Sequence, residues 1–357
     1  MTLANEDIGV SRLFIHAPNI HQGGGKSLLW AIIQSLSASG ATVLVLDDRL
    51  ELPGEIPKNI QIKKVLPTIM SRTMAESWLS ANVKTQDTLL CLGNLPPLFK
   101  SKGRVVVFLQ NRYLIDNVNL NGFSLQTRLR INIERLWLNL KMKSANEFIV
   151  QTQTMKKLLE IKSEGTIPIR ILPFAMNPSA YMSNRLRRNE RLNQFDFIYV
   201  ASGEEHKNHK NLLQAWSLLA AEGLFPSLCL TLSHLKFNFL SREIEIMRLR
   251  YGLAVTNVGE LSHQDILVFY ESAGALIYPS KLESFGLPLI EASQLGLPIL
   301  ASELDFVRDI VNPEESFDPN SAISIARAVK RFMKIDHTGE AVLLDAGEFI
   351  EEILRFH

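Results

Sequence analysis

The stretch Lys281-Leu-Glu-Ser-Phe-Gly-Leu-Pro-Leu-Ile-Glu291, continued by Ala292-Ser-Gln-Leu-Gly-Leu-Pro-Ile-Leu-Ala-Ser302, decides how the rest of the chain is read. Before it, Ala273-Gly-Ala-Leu-Ile-Tyr-Pro-Ser280 is a short apolar run stopped by a Pro-Ser turn, the pattern of a strand buried in a parallel sheet. Gly286 loosens the turn that follows. Pro288 suits the first turn of a helix, where its missing N–H is no loss. Leu289, Ile290 and Leu295 carry that helix on, Gly296 can take a left-handed cap, and Pro298 opens the next strand. Strand, loop, helix and strand in this order aim free backbone N–H groups and a helix dipole at an anion beyond the strand ends.

Two carboxylates bracket that place, Glu283 in the loop and Glu291 eight residues on. A carboxylate beside a phosphate is electrostatically unfavourable unless it does something else there, such as accepting hydrogen bonds from sugar hydroxyls. Taken singly, Glu283 also fits a turn residue and Glu291 a solvated residue near the positive end of a helix. Taken together, Glu-Ser-Phe-Gly-Leu-Pro at 283–288, Glu-Ala at 291–292 and Gly-Leu-Pro-Ile at 296–299 closely resemble the E-x7-E signature of retaining glycosyltransferases of family 4.

At 357 residues the chain has room for two domains, and 46% hydrophobic residues in short runs suit a well-buried α/β protein. A formal net charge of +1 argues against a general nucleic-acid binder. Cys91 and Cys229 sit in apolar, strand-like runs and have no metal-ligand spacing, so they read as core residues of a reducing compartment. The first seven residues are polar and acidic, unlike a secretory leader. No apolar run approaches the roughly 18 residues of a spanning helix. The expectation is a cytoplasmic protein, soluble or peripheral to the inner face of a membrane.

In order along the chain, Leu13–His16 reads as a strand, Ala17–Gly25 as its loop and Lys26–Ser39 as a helix, with Thr42–Leu46 the next strand. Gly25-Lys26-Ser27 imitates the end of a phosphate-binding P-loop, but Ile20 stands where that motif needs a glycine. The triple glycine at 23–25 can let backbone approach a ligand or serve tight side-chain contact. Further strands are read at 60–65, 88–92 and 105–109, followed by loops carrying Asn94, Gln110 and Asn111. In an open α/β sheet such loops face the ligand crevice. Gln126–Ser144 reads as a basic amphipathic helix with Leu129, Ile133, Leu136, Trp137 and Leu140 on its inner face. After a polar, arginine-rich stretch at 181–194, the strand–loop–helix pattern restarts at Phe195, with Lys207 and Lys210 near the mouth of the second loop. Val255–Leu261 is a strand with a glycine turn at Gly259, and Ser262 caps a helix that starts at His263.

The resemblance covers nearly the whole chain. It implies an α/β, GT-B fold: two facing Rossmann-like domains with a cleft between them, an acceptor-side domain over 1–180, a sugar-nucleotide domain over 181–335, and a helix over 336–357 that crosses back. It implies transfer of a sugar from a nucleoside-diphosphate sugar to a hydroxyl of a saccharide or lipid-linked acceptor, with retention, in bacterial surface-polysaccharide assembly. Lys207 matches the lysine of the family's arginine–lysine pair; the arginine is replaced at about Ser202, and Lys210 is a candidate to compensate. By the same analogy Glu291 accepts the ribose hydroxyls and Glu283 those of the transferred sugar. Phe285, Gly286 and Leu287 offer backbone N–H groups, Gly259 approaches the base, and Gly23, Gly24, Gly25 and Asn94 face the acceptor. Gln110 and Asn111 stand where many members carry a histidine. No cofactor or metal is implied, and no Asp-x-Asp pair stands at a strand end to hold one. The basic helix 126–144 reads first as a domain helix with a solvated polar face, and as the candidate contact with an anionic membrane, where each Lys or Arg near the surface contributes about 1 kcal/mol. Two other readings stay open: a GT-B enzyme that rearranges its donor, as an epimerase does, and a silent relative that binds nucleotide or a partner.

Overall fold

The computed structural model describes residues 11–36, 41–52, 54, 56, 60–118, 120, 123–174 and 194–335. The first domain runs β1 (Leu13–Ala17), α1 (Gly23–Ser35), β2 (Thr42–Asp47), β3 (Gln61–Val65), α2 (Ile69–Asn82), β4 (Thr88–Cys91), β5 (Arg104–Phe108), α3 (Leu125–Lys141), β6 (Glu147–Val150), α4 (Gln153–Ser163) and β7 (Ile169–Ile171). The pattern restarts with β8 (Phe195–Tyr199), α5 (His209–Ala221), β9 (Leu228–Leu230), α6 (Asn238–Tyr251), β10 (Val255–Asn257) and α7 (His263–Glu271). It continues through β11 (Ala273–Tyr278), α8 (Leu287–Gln294), β12 (Ile299–Ser302), α9 (Asp305–Arg308), β13 (Glu315–Phe317) and α10 (Ala322–Phe332).

These strands form two parallel sheets, ordered β3-β2-β1-β4-β5-β6-β7 and β10-β9-β8-β11-β12-β13. Each is a Rossmann-like α/β domain, as expected. The apolar runs that read as doubly covered strands are just that: β2 is buried along its whole length and β11 at all but Gly274. The strand order reverses direction twice, between β1 and β4 in one sheet and between β8 and β11 in the other. Loops leaving the carboxyl ends of such neighbours diverge and open a crevice. Behind the second crevice, Trp216 meets Phe197 edge-on at 5.6 Å and donates its indole N–H to Pro226 O at 2.8 Å, so the large ring is buried without an unpaired donor.

Three features depart from the sequence reading. Helix α1 starts at Gly23, not Lys26, so the glycines form its first turn; Gly23 adopts φ +67°, which only glycine takes freely. Helix α3 buries Ile131 and Leu138, while Leu129, Ile133, Leu136 and Leu140 are exposed at 55–72%. At 100° per residue the two stripes lie about 180° apart, and the narrower one faces the core. Helix α3 also ends at Lys141, followed by a 3-10 turn over Met142–Ser144. Elements α2, α9 and β13 have no counterpart among the expected ones. The boundary expected at 180–181 and the helix expected over 336–357 lie outside the described residues.

Leu276 is fully buried in β11, between β8 and β12. Leu276→Ala is expected to destabilise the protein by about 2–5 kcal/mol, read as a lower urea midpoint with little change in slope.

Candidate functional site

Loops from both switch points converge on a cavity of about 580 Å³ between the two sheets. Gly24, Gly25, Asn94, Gln110 and Asn111 line it from the first domain, and Lys207, Glu283, Phe285, Gly286, Leu287 and Glu291 from the second. The domains touch around it. Tyr113 meets the His206 ring edge-on at 5.7 Å, Thr152 Oγ1 donates to Ser284 O, and the Thr154 N–H donates to Asp309 Oδ2 at 2.8 Å. A Cβ on Gly24 would lie 3.0 Å from Leu287 Cδ1, so glycine lets the start of α1 come up against the start of α8.

At the centre of the second domain's wall, one carboxylate oxygen collects three donors. Glu283 Oε1 accepts from Lys207 Nζ at 2.6 Å, Ser280 Oγ at 2.7 Å and Tyr278 OH at 2.9 Å. Burial works against ionising Glu283. The Lys207 ammonium and the hydrogen bonds from Lys207 and Ser280 nevertheless hold the carboxyl below its usual range. Lys207 is held in turn by its own backbone: its carbonyl accepts from Tyr199 OH at 2.7 Å, and the next residue, Asn208, donates to Pro279 O and Pro319 O. Asn208 takes φ +64°, a left-handed turn that asparagine tolerates better than most residues.

Above this cluster, Gly286 at φ +72° turns the chain into α8, with Pro288 in the first helical turn. Residues 285–288 at that helix start line the cavity, and the Leu289 N–H is taken by Gly286 O at 2.9 Å, so the wall carries the positive end of a helix dipole. Glu291, one turn further, is largely enclosed, its side chain 12% exposed. Tyr270 OH donates to its Oε2 at 3.2 Å, and His263 Nδ1 lies 3.5 Å from Oε1. Burial pushes the Glu291 carboxyl up to about 7, against the Tyr270 hydrogen bond, and burial lowers His263.

Other expected residues fall differently. Lys210 Nζ lies 3.8 Å from Glu243 Oε2 on α6, outside the cavity lining. Ser202 and Gly23 line a neighbouring cavity of about 370 Å³, where the Ser202 hydroxyl donates to Glu204. Gly259, at φ +83°, donates its N–H to Asn257 Oδ1 in the turn after β10. Asn94 Oδ1 is engaged by the backbone N–H groups of Gln110 and Asn111, at 2.6 and 2.9 Å, and Asn111 Oδ1 accepts from the Tyr113 N–H. Both asparagines therefore shape the loops as well as line the cleft. Tyr270, Tyr278 and Ser280 were missed as site residues because tyrosine and serine at strand and helix ends read as ordinary core and turn residues. His263 stands at the start of α7, and nothing near it in the chain shows that α7 packs beside α8.

The two walls thus bring one lysine, two carboxylates and the start of α8 together in a cavity between paired parallel sheets. A family model described as glycosyl transferases group 1 matches residues 183–342, somewhat under half of the chain. O-antigen chain mannosyltransferase B of Escherichia coli is 28% identical over 142 residues, 39% of this chain; the match spans only 37% of that relative's length. Sucrose-phosphate synthase from Thermosynechococcus elongatus superposes with a TM-score of 0.66 at 17% identity, covering 91% of this chain and 90% of that one. Anabaena HepE in complex with UDP and glucose superposes with a TM-score of 0.61 at 14% identity, over 91% and 90% of the two chains. The fold is GT-B. Over its second domain the chain is similar to the group 1 glycosyl transferases.

The raised Glu291 carboxyl makes a prediction about the ligand-free protein. The folded chain keeps this proton up to about pH 7, whereas an unfolded glutamate loses it near its ordinary value of 4.5. Stability from this group therefore falls as pH rises between those two values. Glu291→Gln does not titrate, so it is expected to match the parent in thermal unfolding near pH 4 and to exceed it by about 1–3 kcal/mol at pH 8.

Proposed function

We propose that this protein is a retaining, metal-independent glycosyltransferase of family 4, moving a sugar from a nucleoside-diphosphate donor to a hydroxyl of a saccharide or lipid-linked acceptor. The observation that carries the reading is the Lys207–Glu283 pair facing the start of α8 inside the interdomain cleft. Breaking the bond from anomeric carbon to phosphate builds negative charge on the departing diphosphate. The α8 N-terminus and Lys207 are in place to stabilise that charge as it forms. Lys207 carries three N–H donors and uses one on Glu283, which leaves two for phosphate oxygens. Glu283 Oε2 and Glu291 are the acceptors for the hydroxyls of the transferred sugar and of the ribose. Gln110, Asn111 and Gly25, across the cleft, face the acceptor.

The relative from E. coli makes mannose the first sugar to test and bacterial surface polysaccharide the first setting. Cytoplasmic work at the inner face of a membrane follows from that setting. No helix among the described residues is long and apolar enough to cross a membrane. Contact with an anionic membrane through α3 belongs to the same reading. Arg135, however, is not free for it: its guanidinium donates to Tyr113 O and Asp116 O. The cations left for a surface are Arg128, Arg130, Lys141 and Lys143.

Incubation with a panel of nucleoside-diphosphate sugars, mannose donors first, should release nucleoside diphosphate when an acceptor is present, with the anomeric configuration kept. Binding without release in every case would leave a silent relative. Lys207→Ala is expected to lower kcat by about 100-fold or more with a smaller effect on nucleotide affinity, because the diphosphate charge grows only in the transition state. Glu291→Ala should instead weaken nucleotide binding, read by titration calorimetry.

Activity should also survive EDTA. Loss on chelation, restored by magnesium or manganese, would refute metal independence.

A further inference from the structure

Glu291 differs from Glu283 in its company. Among the described residues no lysine or arginine pairs with it, and its two oxygens look onto α7 instead. Tyr270 OH donates to Oε2 at 3.2 Å. His263 Nδ1 lies 3.5 Å from Oε1, a contact rather than a hydrogen bond. The other nitrogen of that ring, Nε2, is buried and has no partner. With an acceptor beside Nδ1 and none at Nε2, the single N–H of the neutral ring belongs on Nδ1. A second N–H, on Nε2, would be buried and unpaired, so the ring resists becoming charged. The remaining charged groups on this cavity, Lys207 and Glu283, are paired with each other, and the first-domain wall brings none.

Two ribose hydroxyls need two acceptor positions. A protonated carboxyl is itself a donor, whereas an ionised one offers about four lone-pair sites. Tyr270 OH and His263 Nδ1–H can fill one site on each oxygen, which leaves one on each for a hydroxyl. We propose that His263 is a positioning residue for Glu291: its Nδ1–H steadies the ionised carboxylate, and a nucleoside-diphosphate sugar binds as Glu291 gives up its proton to solvent. No covalent bond changes, and His263 stays neutral throughout. The inference rests on the cleft being a nucleotide-sugar site and adds to that reading a coupling between donor binding and pH. Burial holds the Glu291 proton up to about pH 7 in the free protein. Below that pH, binding must expel the proton and affinity climbs with pH; above it, affinity levels off.

The test titrates UDP-glucose, GDP-mannose and ADP-glucose calorimetrically into the full chain, without acceptor, in buffers of different ionisation enthalpy. All three are diphosphate diesters, so none loses a phosphate proton in the range used. Release of close to one proton per bound nucleotide is expected at about pH 6 and none at about pH 8.5, with affinity about tenfold tighter at the higher pH. His263→Leu should raise the pH at which affinity levels off by about one unit, with affinity at about pH 8.5 within about twofold of the parent. His263→Asn, whose amide N–H falls near the place of Nδ1–H, should restore the parent profile. A mere disturbance of α7 would weaken binding at every pH instead. Binding without proton release at about pH 6, a His263→Leu profile with the parent's midpoint, or one lowered equally at every pH would overturn the proposal. If no probe binds at any pH, the nucleotide-sugar reading falls and this inference with it; binding without proton release sinks this inference alone.

Discussion

The cleft depends on one buried ion pair. Lys207 and Glu283 meet with their side chains 17% and 12% exposed. Removing two charges from water costs several kcal/mol per ion, and Coulomb attraction offsets this only where the remaining hydrogen-bonding capacity is met. Here Tyr278 and Ser280 supply it, from the end of the strand that also leads into Glu283. Lys207 comes from the neighbouring strand's loop, and Asn208 ties that loop back to Pro279. The pair is thus fixed by the pairing of β8 with β11, the contact at which the sheet changes direction. Local sequence, sheet order and site geometry are a single constraint.

That constraint leaves the cleft short of positive side chains. Among the described residues lining it, Lys207 is the one lysine or arginine, set against two carboxylates. The remaining attraction for an anion must come from backbone. Helices α1 and α8 both start at the cavity wall, and each helix start carries a partial positive charge of roughly half a unit. Dipoles of this kind act over a few ångströms and leave no trace in net charge, so a chain at +1 can still carry local positive potential at this cavity.

Much of this was legible in the sequence, for reasons that also mark its limit. Strands buried on both faces, such as β2 and β11, announce themselves as unbroken apolar runs, and Gly286-Leu-Pro288 marks a helix start through rules of backbone geometry. The bracketing carboxylates were found because their spacing is local. Contacts made between elements were not. Nothing near Lys210 in the chain shows that its side chain turns toward Glu243, and nothing near Glu291 shows Tyr270 and His263 beside it. Helix α3 misled for a further reason. Periodicity assumes that the wider apolar stripe is the buried one, and here the core takes the narrower stripe.

The exposed stripe bears on the cleft because the two cavities share a wall. Pro18, Asn19, Gly93 and Leu95 line the cavity between α2 and α3, whereas Ile20 and Asn94 line the cleft. Adjacent residues are 3.8 Å apart along the chain, so the wall is about one backbone thick. Its two strips of chain are in close contact: a Cβ on Gly93 would fall 2.6 Å from Asn19 Oδ1, and Asn94 stands at φ +70° with its carbonyl oxygen held by Gln110 and Asn111. A side chain at Gly93 would displace Asn19, so the loops after β1 and β4 meet at this point without room between them. The apolar face of α3 and the charge chemistry at Lys207 are in this way parts of one architecture, joined through the loops after β1 and β4.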